Sequence, residues 1–444
     1  MAMKELVLGK KDASEWTYRG EGAVNLVLAY TGSSPAFIGK VLRIQKAPQN
    51  GSGDLIISTE LTAKERLLWN DVKGIISAET LDVAAQYYVK DVMTPLLGNE
   101  HVDAGVQVRV SREFLESIDK NVLPHRPTWR VHAARVNPLC DSALLISDHS
   151  VFQHGAKGRP CVSVEIKPKC GFLPQSKYIS EENIIKKSIS RFQMHQALKL
   201  HRQEVSEISE YDPLDIFSGT KDRIYKAMRA LFRTPQNNFR VFLNGFLIFG
   251  GSGGGTDATN SKTAESLEKA LRHFIQAEEG KRTQAVLQLL TNTIYETGVL
   301  QKLLAVQKQD AIDIEGAIHA YYNIVSEPCK VCLHVGKDPS SHELHVIPLH
   351  ESFKIVRSYL IAATAKDCSL ILSFRPKRYT DSLKVNRQEF DYKAFFIDLD
   401  MKPLDKMEHY YKLDQEIVSN YNAVMRRRRN EGDHKRQLQT NGHS

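Results

Sequence analysis

The sequence has 444 residues, of which 42% are hydrophobic and 25% are charged, as in ordinary soluble globular proteins, and its length allows two or three domains. No stretch approaches ~18 consecutive apolar residues, and residues 1–11 lack the apolar core of a signal peptide. We therefore expect a cytoplasmic and/or nuclear protein with no membrane partner. The net charge of +8 favours an anionic partner, and six cysteines are too few for a disulfide framework.

The N-terminal third alternates short apolar runs with turn residues, which is typical of β-strands. We predict a smaller, β-rich lobe over residues 1–147. Its predicted elements are a strand, glycine turn, strand, turn and strand over 16–44, a helix over 58–70, an apolar segment over 89–97, and strands over 106–110, 129–133 and 144–146.

A glycine-containing turn lies between the first two predicted strands, with the sequence Gly20-Glu21-Gly22-Ala23-Val24-Asn25. Glycines allow backbone N–H groups to approach a phosphate closely, and the next strand carries Lys40 and Arg43, which could reach phosphates. The turn therefore indicates a nucleotide site in this lobe. An ordinary hairpin is the alternative, because the turn matches neither a Walker A loop nor a full G-x-G-x-x-G motif.

Two lysines lie where a strand runs into a rigid loop, in the segment Glu165-Ile166-Lys167-Pro168-Lys169. Pro168 fixes its own backbone and restricts Lys167, so both ammonium groups are presented by a stiff segment. Preorganised charge of this kind suits a phosphate site. The alternative is an edge strand that ends in a solvated turn.

A larger, mixed lobe is predicted over residues 148–430, followed by a disordered tail over 431–444. Its clearest signal is a hairpin over 239–249 with the two-residue turn Asn244-Gly245. The other predicted elements are helices over 180–202, 262–278, 283–308, 312–325, 352–366 and 403–425, a linker over 250–260, and strands over 369–374 and 393–399.

Two aspartates are predicted at one end of a strand pair. Asp367 ends a helix immediately before an apolar strand, and Asp398 ends the partner strand. An antiparallel pairing would bring both carboxylates together. Phosphoryl transfer needs such a pair, one to accept the hydroxyl proton and one to hold Mg²⁺, although each aspartate could instead merely cap a strand.

Basic residues are dispersed along the whole chain. On the predicted last helix Lys402, Lys406 and Tyr410 are spaced four residues apart and would share one face. A solvated surface is the simpler explanation unless the fold brings these side chains together. The full set comprises Arg130, Lys167, Lys169, Lys199, Arg240, Lys402 and Lys406, with Asn237 and Asn238 beside the hairpin.

A cysteine pair with the spacing of a zinc site lies at Cys329-x-x-Cys332. Histidines 319, 334, 342, 345 and 350 could supply two further ligands. Two thiolates and two imidazoles suit a closed, tetrahedral structural zinc site. A free or redox-active cysteine pair is the alternative.

Several longer segments together resemble the inositol-pentakisphosphate 2-kinase family, in its plant form. The resemblance runs almost end to end and implies an α/β fold of α+β, two-lobed, kinase-like type, in which a smaller β-rich N-lobe faces a larger mixed C-lobe with extra helices and a zinc site. The segments are Tyr18-Arg19-Gly20-Glu21-Gly22, 164–174, Thr234-Pro235-Gln236-Asn237-Asn238-Phe239-Arg240, 362–367 and Phe396-Ile397-Asp398-Leu399.

The resemblance implies transfer of the ATP γ-phosphate to the axial 2-hydroxyl of inositol 1,3,4,5,6-pentakisphosphate, which gives inositol hexakisphosphate (phytate). Asp367 would be the general base, Asp398 a Mg²⁺ ligand and Lys167 a stabiliser of the transferring phosphate. His319, Cys329, Cys332 and His345 would bind zinc. The nucleotide would contact Arg19, Gly20, Gly22, Ala23, Val24, Asn25, Arg43, Asp148, His149, Glu165 and Arg240, and the substrate phosphates Arg130, Lys169, Lys199, Asn237, Asn238, Lys402, Lys406 and Tyr410.

A competing interpretation is a non-catalytic, zinc-stabilised module that binds polyphosphates or RNA, since the basic run Arg426 to Arg429 would also suit such a partner. The sequence lacks a strand with the paired aromatic residues of an RNA-binding sheet. We therefore expect a monomeric kinase with no nucleic-acid partner.

Overall fold

The computed structural model describes residues 7–49, 60–152, 160–251, 260–334, 336, 338, 342–377 and 388–440. Within these ranges the chain forms two sheets, each with its own set of helices, which confirms the predicted two-lobed α/β fold. No helix in the described ranges combines the length and apolar character that crossing a membrane requires.

The first lobe is built on a seven-stranded sheet. Its strand order is β1-β5-β7-β4-β3-β2, with β6 paired to β4, and all pairs are antiparallel except β1 with β5. The strands are β1 (Val7–Leu8), β2 (Trp16–Glu21), β3 (Asn25–Tyr30), β4 (Lys40–Pro48), β5 (Val106–Val110), β6 (Ala134–Val136) and β7 (Ser142–Ser147).

The second lobe is built on a five-stranded antiparallel sheet of order β10-β9-β8-β11-β12. The predicted hairpin is confirmed, since Asn244 and Gly245 have φ angles of 50° and 82° and join β9 to β10 as a tight turn. The strands are β8 (Val162–Ile166), β9 (Phe239–Leu243), β10 (Phe246–Phe249), β11 (Ser369–Pro376) and β12 (Phe390–Ile397).

Helices pack in both lobes and fill most of the C-terminal half. They are α1 (Ala63–Leu68), α2 (Lys73–Ile76), α3 (Leu81–Tyr87), α4 (Thr94–Leu97), α5 (Arg112–Val122), α6 (Thr128–Ala133), α7 (Arg191–His201), α8 (Pro213–Ile216), α9 (Lys221–Arg233), α10 (Asn260–Ala270), α11 (Arg282–Thr297), α12 (Val299–Gln307), α13 (Asp313–Val325), α14 (Lys330–His334), α15 (Leu349–Asp367) and α16 (Met407–Thr440). A π-helix (Tyr88–Met93) joins α3 to α4, and shorter 3₁₀ segments include Glu181–Lys187 and Leu404–Lys406.

Not all of residues 1–147 pack in the core of the first lobe, to which they were predicted to belong. The first lobe packs around Trp16, Leu28 and Phe114. Residues 61–102 instead pack into the core of the second lobe, where Trp69 and Tyr88 are fully buried. The Tyr88 hydroxyl donates to Thr364 Oγ1 of α15 at 3.1 Å, which fixes this segment there. The lobe boundary at residue 148 stays a prediction, and α1–α4 belong to the second core.

Three predicted elements were wrong in type or continuity. Residues 129–133 form α6 rather than a strand, because the Pro127 carbonyl accepts the first helical bonds from the amides of Arg130 and Val131. The helix predicted over 180–202 is interrupted, since Ser190 caps a new helix by accepting from the Gln193 amide. The helix predicted over 283–308 is two helices, separated by Gly298 in the left-handed conformation.

The last helix also differs from its prediction. It begins at Met407 rather than Pro403 and continues to Thr440 rather than ending near 425, so it includes most of the segment expected to be a disordered tail. Pro403 precedes the 3₁₀ turn Leu404–Lys406 and holds Lys402 outside the helix. Most of the predicted linker over 250–260, and residues 441–444 of the tail, lie outside the described residues.

Candidate active site

The ends of three neighbouring strands meet at one edge of the second sheet. Lys167 follows β8, Asp367 precedes β11 and Asp398 follows β12. The register pairs Leu370 with Ile166 and Ser369 with Ile397, which puts these ends side by side. The structure thereby confirms that the strand pair brings both aspartates together.

Three lysines and two aspartates form what we call the transfer cluster: Lys167, Lys169, Lys402, Asp367 and Asp398. Lys169 Nζ lies 3.0 Å from Asp367 Oδ1, and Lys402 Nζ lies 3.4 Å from Asp367 Oδ2. Lys167 Nζ lies 3.6 Å from Asp398 Oδ2. The side chains of Asp367 and Asp398 are 55% and 42% exposed, so a ligand can approach them.

Electrostatics favour the charged forms of Asp367 and Lys167. Burial opposes ionisation of Asp367, but Lys169, Lys402 and Lys167 together outweigh it and hold the pKa of Asp367 well below its usual range. Burial also opposes the charge of Lys167, yet Asp398, Asp367 and Glu165 raise its pKa. For Lys169 burial prevails and the pKa is lowered, since Lys167 and Arg191 add like charge.

Two residues of the transfer cluster have a strained backbone. Lys169 and Asp398 have φ angles of 61° and 60°, in the left-handed region that non-glycine residues rarely adopt. Strained residues persist where the surrounding structure holds them, and they are concentrated at functional sites. The conformation points both side chains into the transfer cluster.

Further residues predicted for substrate contact surround this cluster. Lys199 on α7 lies close enough to Lys169 for their charges to interact, and burial together with Lys169 lowers the pKa of Lys199. Burial and the charge of Asp367 raise the pKa of Tyr410 to about 12. The Lys167 amide donates to the Asn238 carbonyl at 2.9 Å, and Asn238 Nδ2 donates to the Lys167 carbonyl at 3.2 Å. Asn237 is half-buried beside them.

Lys406 departs from its predicted position. It was expected to share one helical face with Lys402 and Tyr410, but only Tyr410 lies on α16. Lys402 is part of the transfer cluster, whereas Lys406 is exposed on the preceding 3₁₀ turn. The structure thus brings Lys402 and Tyr410 to Asp367 without a common helical face.

The predicted nucleotide residues lie between the two lobes. Arg19, in the glycine turn segment, donates to Asp148 Oδ2 at 2.5 Å. On the second sheet Glu165 pairs with Arg240 across β8 and β9, at 3.4 Å between Oε2 and Nη1. Gly20 lies in β2, Gly22, Ala23 and Val24 form the turn, and Asn25 begins β3. The Gly22 amide donates to the Asn25 carbonyl at 2.9 Å, which closes the turn.

His149 stands on the connection between the lobes. Its ring stacks on Phe395 with centroids 3.8 Å apart, and its Nε2 lies 3.4 Å from Asp103 Oδ2. Burial lowers the pKa of His149, although the neighbouring Asp103 opposes this shift, and so burial favours the neutral ring. Asp103 was not predicted, and it also accepts from the Ser147 amide at 3.1 Å. These contacts fix the segment that leads from β7 into the second lobe.

A second residue that the sequence interpretation missed is Asp400. Arg43 Nη2 of the first lobe donates to both of its carboxylate oxygens, at 2.7 and 2.9 Å, and lies 3.9 Å from Asp398. Asp398 therefore lies between the two lobes' cations, with Arg43 nearer its Oδ1 and Lys167 nearer its Oδ2. The spacing Asp-x-Asp just beyond β12 was the available signal, since two carboxylates two residues apart can serve one cation.

Arg130 lies on α6 at the opposite wall of the cleft. Its guanidinium stacks on Trp129, 4.1 Å from the ring centroid. Burial lowers its pKa, and the positive charge of Arg240 on the second lobe lowers it further. Arg130 therefore faces the second lobe without touching the transfer cluster.

The four predicted zinc ligands come together near α13. Their donor atoms, from His319, Cys329, Cys332 and His345, all lie within 4.8 Å of one another. The His319 Nδ1 to His345 Nε2 distance is 3.1 Å, and sulfur-to-nitrogen distances are 3.5 to 3.6 Å. Tetrahedral zinc with bonds of about 2.0 Å to nitrogen and 2.3 Å to sulfur separates its ligands by about 3.3 to 3.8 Å, so the donor set fits zinc.

Outer contacts orient both imidazoles of this site. His345 Nδ1 lies 2.9 Å from Asn323 Oδ1, which turns Nε2 toward the cysteines. His342 stacks on His319 with centroids 3.8 Å apart. Burial and the two neighbouring histidines lower the pKa of His319 to about 3, which keeps its ring neutral, as a metal ligand requires.

Comparisons with known proteins agree with this arrangement. The family model for inositol-pentakisphosphate 2-kinase matches residues 18–416. The inositol-pentakisphosphate 2-kinase of Arabidopsis thaliana is 54% identical over 431 residues, which cover 94% of this chain and 95% of that protein. A protein of the same name from indica rice is 50% identical over 428 residues, with 94% and 95% covered. The zebrafish protein of that name is 28% identical over 491 residues, with 93% and 94% covered.

These matches cover nearly the whole length of relatives that are named as kinases. The non-catalytic alternative drawn from the sequence therefore loses its support. The enzyme class is that of a phosphotransferase acting on an alcohol group. The chain belongs to the inositol-pentakisphosphate 2-kinase family.

Proposed function

We propose that this protein uses ATP to phosphorylate the axial 2-hydroxyl of inositol 1,3,4,5,6-pentakisphosphate, giving inositol hexakisphosphate and ADP. The observation that supports this most directly is the transfer cluster, in which the carboxylate of Asp367 lies among three lysines next to Asp398. Phosphoryl transfer requires a base, a cation-binding carboxylate and positive charge around the moving phosphate. The cluster supplies all three.

In the proposed reaction Asp367 accepts the proton of the 2-hydroxyl as its oxygen forms a bond to the γ-phosphorus. The bond between that phosphorus and the bridging oxygen breaks, and the bridging oxygen leaves on ADP. Lys167 faces the phosphate in transfer and stabilises its developing charge. Lys169 and Lys402 hold phosphates of the inositol that do not react.

The charge of the substrate explains why so many lysines are needed. Five phosphates carry roughly 7 to 10 negative charges at neutral pH. They would compete with Asp367 for Lys169 and Lys402, which currently neutralise its carboxylate. As the lysines turn to the phosphates, the pKa of Asp367 rises toward its ordinary value and the carboxylate becomes a better base. Arg130, Lys199, Asn237, Asn238, Lys406 and Tyr410 are the further phosphate contacts that we propose.

The nucleotide would occupy the cleft between the glycine turn and β8–β9. There Arg19, Arg43 and Arg240 supply positive charge, and each of them now pairs with a carboxylate, Asp148, Asp400 and Glu165 respectively. Carboxylate oxygens are the ligands that Mg²⁺ prefers, so Asp398 together with Asp400 fits this ion. Bound there, Mg²⁺ would neutralise charge on the β- and γ-phosphates.

The decisive test compares the wild-type protein with Asp367→Asn in an assay for ATP-dependent conversion of inositol pentakisphosphate. We expect product only with ATP and Mg²⁺, and a loss of about 10² to 10⁴ in kcat for the variant, which is the usual contribution of a general base. Asp222→Asn, an exposed change on α9, is the control. Absence of turnover by the wild-type protein, or full activity of Asp367→Asn, would contradict the proposal.

We also propose that His319, Cys329, Cys332 and His345 hold a structural zinc ion. All four donors are provided by the chain, which leaves no open position for catalysis. Metal analysis of the purified protein should give one zinc per chain, and Cys329→Ser should lower both the zinc content and the melting temperature. His350→Gln, an exposed change on α15, is the control, because the thiol of Cys140 is half-buried and its replacement could itself affect stability. Zinc-free protein of unchanged stability would refute this site.

A further inference from the structure

A fully enclosed carboxylate lies beneath the glycine turn of the first lobe. Glu21 is the last residue of β2, between Gly20 and Gly22, and its side chain is only 1% exposed. Lys46 Nζ of β4 donates to its Oε2 at 2.5 Å. Arg126 donates to both oxygens, Nε to Oε1 and Nη2 to Oε2, each at 2.9 Å. The two cationic side chains are also 1% exposed.

These contacts keep Glu21 charged. Burial opposes its ionisation, but the hydrogen bonds from Arg126 and Lys46 outweigh it and lower its pKa. A bidentate arginine bond adds direction to the attraction, because the planar guanidinium matches the carboxylate plane. Glu21 therefore fixes the orientation of both partners as well as their charge.

Each of the two cations also binds backbone on a different side of the lobe. Lys46 Nζ donates to the Gly22 carbonyl at 2.7 Å, within the glycine turn. Arg126 Nη2 donates to the Ala134 carbonyl at 2.8 Å and to the Arg130 carbonyl at 3.4 Å, at the C-terminal part of α6. One carboxylate thus connects the proposed nucleotide turn to the short helix that carries Arg130.

Among the described residues, no carboxylate forms a hydrogen bond with Arg130. Its Nε is buried, and no acceptor among the described residues reaches it. Glu21 partly stabilises its charge from a distance, but Lys46 and Arg126 already take both oxygens of that carboxylate. Lys46, Arg126 and Arg130 thus share the single buried carboxylate of Glu21. An incoming phosphate would be attracted to Arg130, whose charge Glu21 does not contact directly.

We propose that Glu21 is a positioning residue that sets the glycine turn for the nucleotide and α6 with Arg130 for the inositol phosphate, without touching either ligand. The inference rests on the proposed function, since it takes the turn and Arg130 as contacts of the two substrates. The distinctive consequence of this role is that one substitution at Glu21 weakens the binding of both ligands, although they contact different elements. A contact residue for either ligand would change only one of the two affinities.

The experiment measures KM for ATP and for inositol pentakisphosphate, and kcat, in Glu21→Gln. Glutamine keeps the size but removes the charge and one of the paired acceptors, so we expect both KM values to rise about tenfold, as for loss of a hydrogen bond to a charged group. We expect kcat to stay within about threefold of wild type, because the transfer cluster is untouched. Glu116→Gln is the matched control, since its carboxylate pairs with Arg112 in an exposed ion pair on α5.

A double-mutant cycle with Arg130→Ala distinguishes positioning from general loosening. In the Arg130→Ala background, Glu21→Gln should add less than about twofold to the KM for inositol pentakisphosphate, but should keep its full effect on the KM for ATP. Arg126→Lys, which keeps the charge and loses the bidentate contact, should give a smaller rise in both KM values. It also supplies a folded variant should Glu21→Gln fail to fold.

The outcomes separate the two proposals. If the wild-type enzyme does not convert inositol pentakisphosphate, the proposed function fails, and calorimetric binding of inositol pentakisphosphate to wild type and Glu21→Gln still tests the Arg130 half of the inference. If wild type is active but Glu21→Gln keeps both KM values, changes only one of them, or adds fully to Arg130→Ala, Glu21 is not a positioning residue. A lowered melting temperature with unchanged KM values would likewise overturn the inference.

Discussion

Two groups of lysine and carboxylate side chains in the second lobe use the same chemistry in different surroundings. In the transfer cluster, lysines outnumber aspartates, and Asp367 and Asp398 are 55% and 42% exposed. The second group, which we call the buried cluster, consists of Lys186, Asp313, Glu315 and Asp414. Its side chains are only 4 to 10% exposed, and carboxylates outnumber lysines.

Lys186 fills the centre of the buried cluster. Its ammonium group donates to Asp313, to Glu315 at 3.0 Å and to Asp414 at 2.7 Å. The three carboxylates lie close enough together to hold a metal ion, but the lysine already occupies that position. The cluster joins the 3₁₀ segment Glu181–Lys187 to α13, which carries the proposed zinc ligand His319, and to α16, which carries Tyr410.

The difference shows what turns a charge cluster into a binding site. In the buried cluster each carboxylate pairs with Lys186 inside the protein, and the excess of carboxylates repels anions. In the transfer cluster the ion pairs are longer, at 3.0 to 3.6 Å, and open to solvent, so a polyphosphate can exchange for the aspartates. We therefore expect changes in the buried cluster to affect folding, and changes in the transfer cluster to affect turnover and binding.

The largest expected effect is on stability, in Lys186→Met. The variant leaves Asp313 and Glu315 buried without their lysine, while Asp414 keeps Arg191 at 3.2 Å. Breaking a buried pair in this way costs about 3 to 5 kcal/mol. Urea unfolding should show this loss, while kcat and KM of the folded protein stay within about twofold to threefold of wild type. Lys177→Met, at an exposed pair with Glu343, should cost under about 1 kcal/mol. Equal stability of the two variants would mean that the buried cluster is not a structural one.

The next effect concerns turnover, in Lys167→Ala. Loss of a preorganised cation at the transferring phosphate lowers kcat by about 10² to 10³. Because the ion pair with Asp398 is partly exposed, we expect a loss of stability under about 1 kcal/mol, in contrast to Lys186→Met. Steady-state kinetics beside urea unfolding measure both quantities. If Lys167→Ala lowers the free energy of unfolding but leaves kcat unchanged, the role of Lys167 is structural, like that of Lys186 in the buried cluster.

A smaller effect on binding is expected in Lys169→Ala. We expect KM for inositol pentakisphosphate to rise about 10- to 100-fold, as for loss of a charged hydrogen bond, with kcat changed less than about fivefold. Lys167→Ala is its matched control, since both lysines flank Pro168 and both pair with an aspartate of the transfer cluster. The reverse pattern in the two variants would show that the roles of the lysines are exchanged.

Local signals in the sequence account for what could be predicted. The hairpin over 239–249 follows from Asn244-Gly245, which needs no distant partner to turn. Asp367 and Asp398 were placed correctly because a helix end and a strand end fix them whatever surrounds them. The proposed zinc ligands His319 and His345 were chosen from five histidines by family resemblance, since the spacing of the cysteines left that choice open.

The features that were missed depend on partners far along the chain. Glu21 contacts Arg126 across 105 positions, and Arg43 contacts Asp400 across 357. No periodicity marks such pairs. For α6, six residues are too few for a helical pattern to show, and its form is set by Pro127 and by the Arg126 contact to Ala134.

The smallest expected effect is a pH dependence of stability in the protein without ligands. The pKa of Asp367 is lowered in the folded state, chiefly by Lys169 and Lys402 against the opposing effect of burial. A carboxyl group whose pKa is lowered by folding stabilises the folded state fully at pH values above its pKa in the unfolded chain, which is about 3.8. This stabilisation is lost as the pH falls toward and through the lower pKa of the folded state. Asp367→Asn should therefore melt slightly below wild type at pH 7, where it leaves three lysines less neutralised.

The difference should shrink on acidification, because a protonated Asp367 and an asparagine are both uncharged. Melting curves from about pH 7 down to pH 3 should begin to converge below about pH 4. The shift is small because the side chain is half exposed and water screens it. Asp222→Asn should run parallel to wild type throughout. A gap between Asp367→Asn and wild type that stays constant over this range would mean that its lysines do not stabilise the Asp367 charge, and the transfer cluster would lose the electrostatic property that separates it from the buried one.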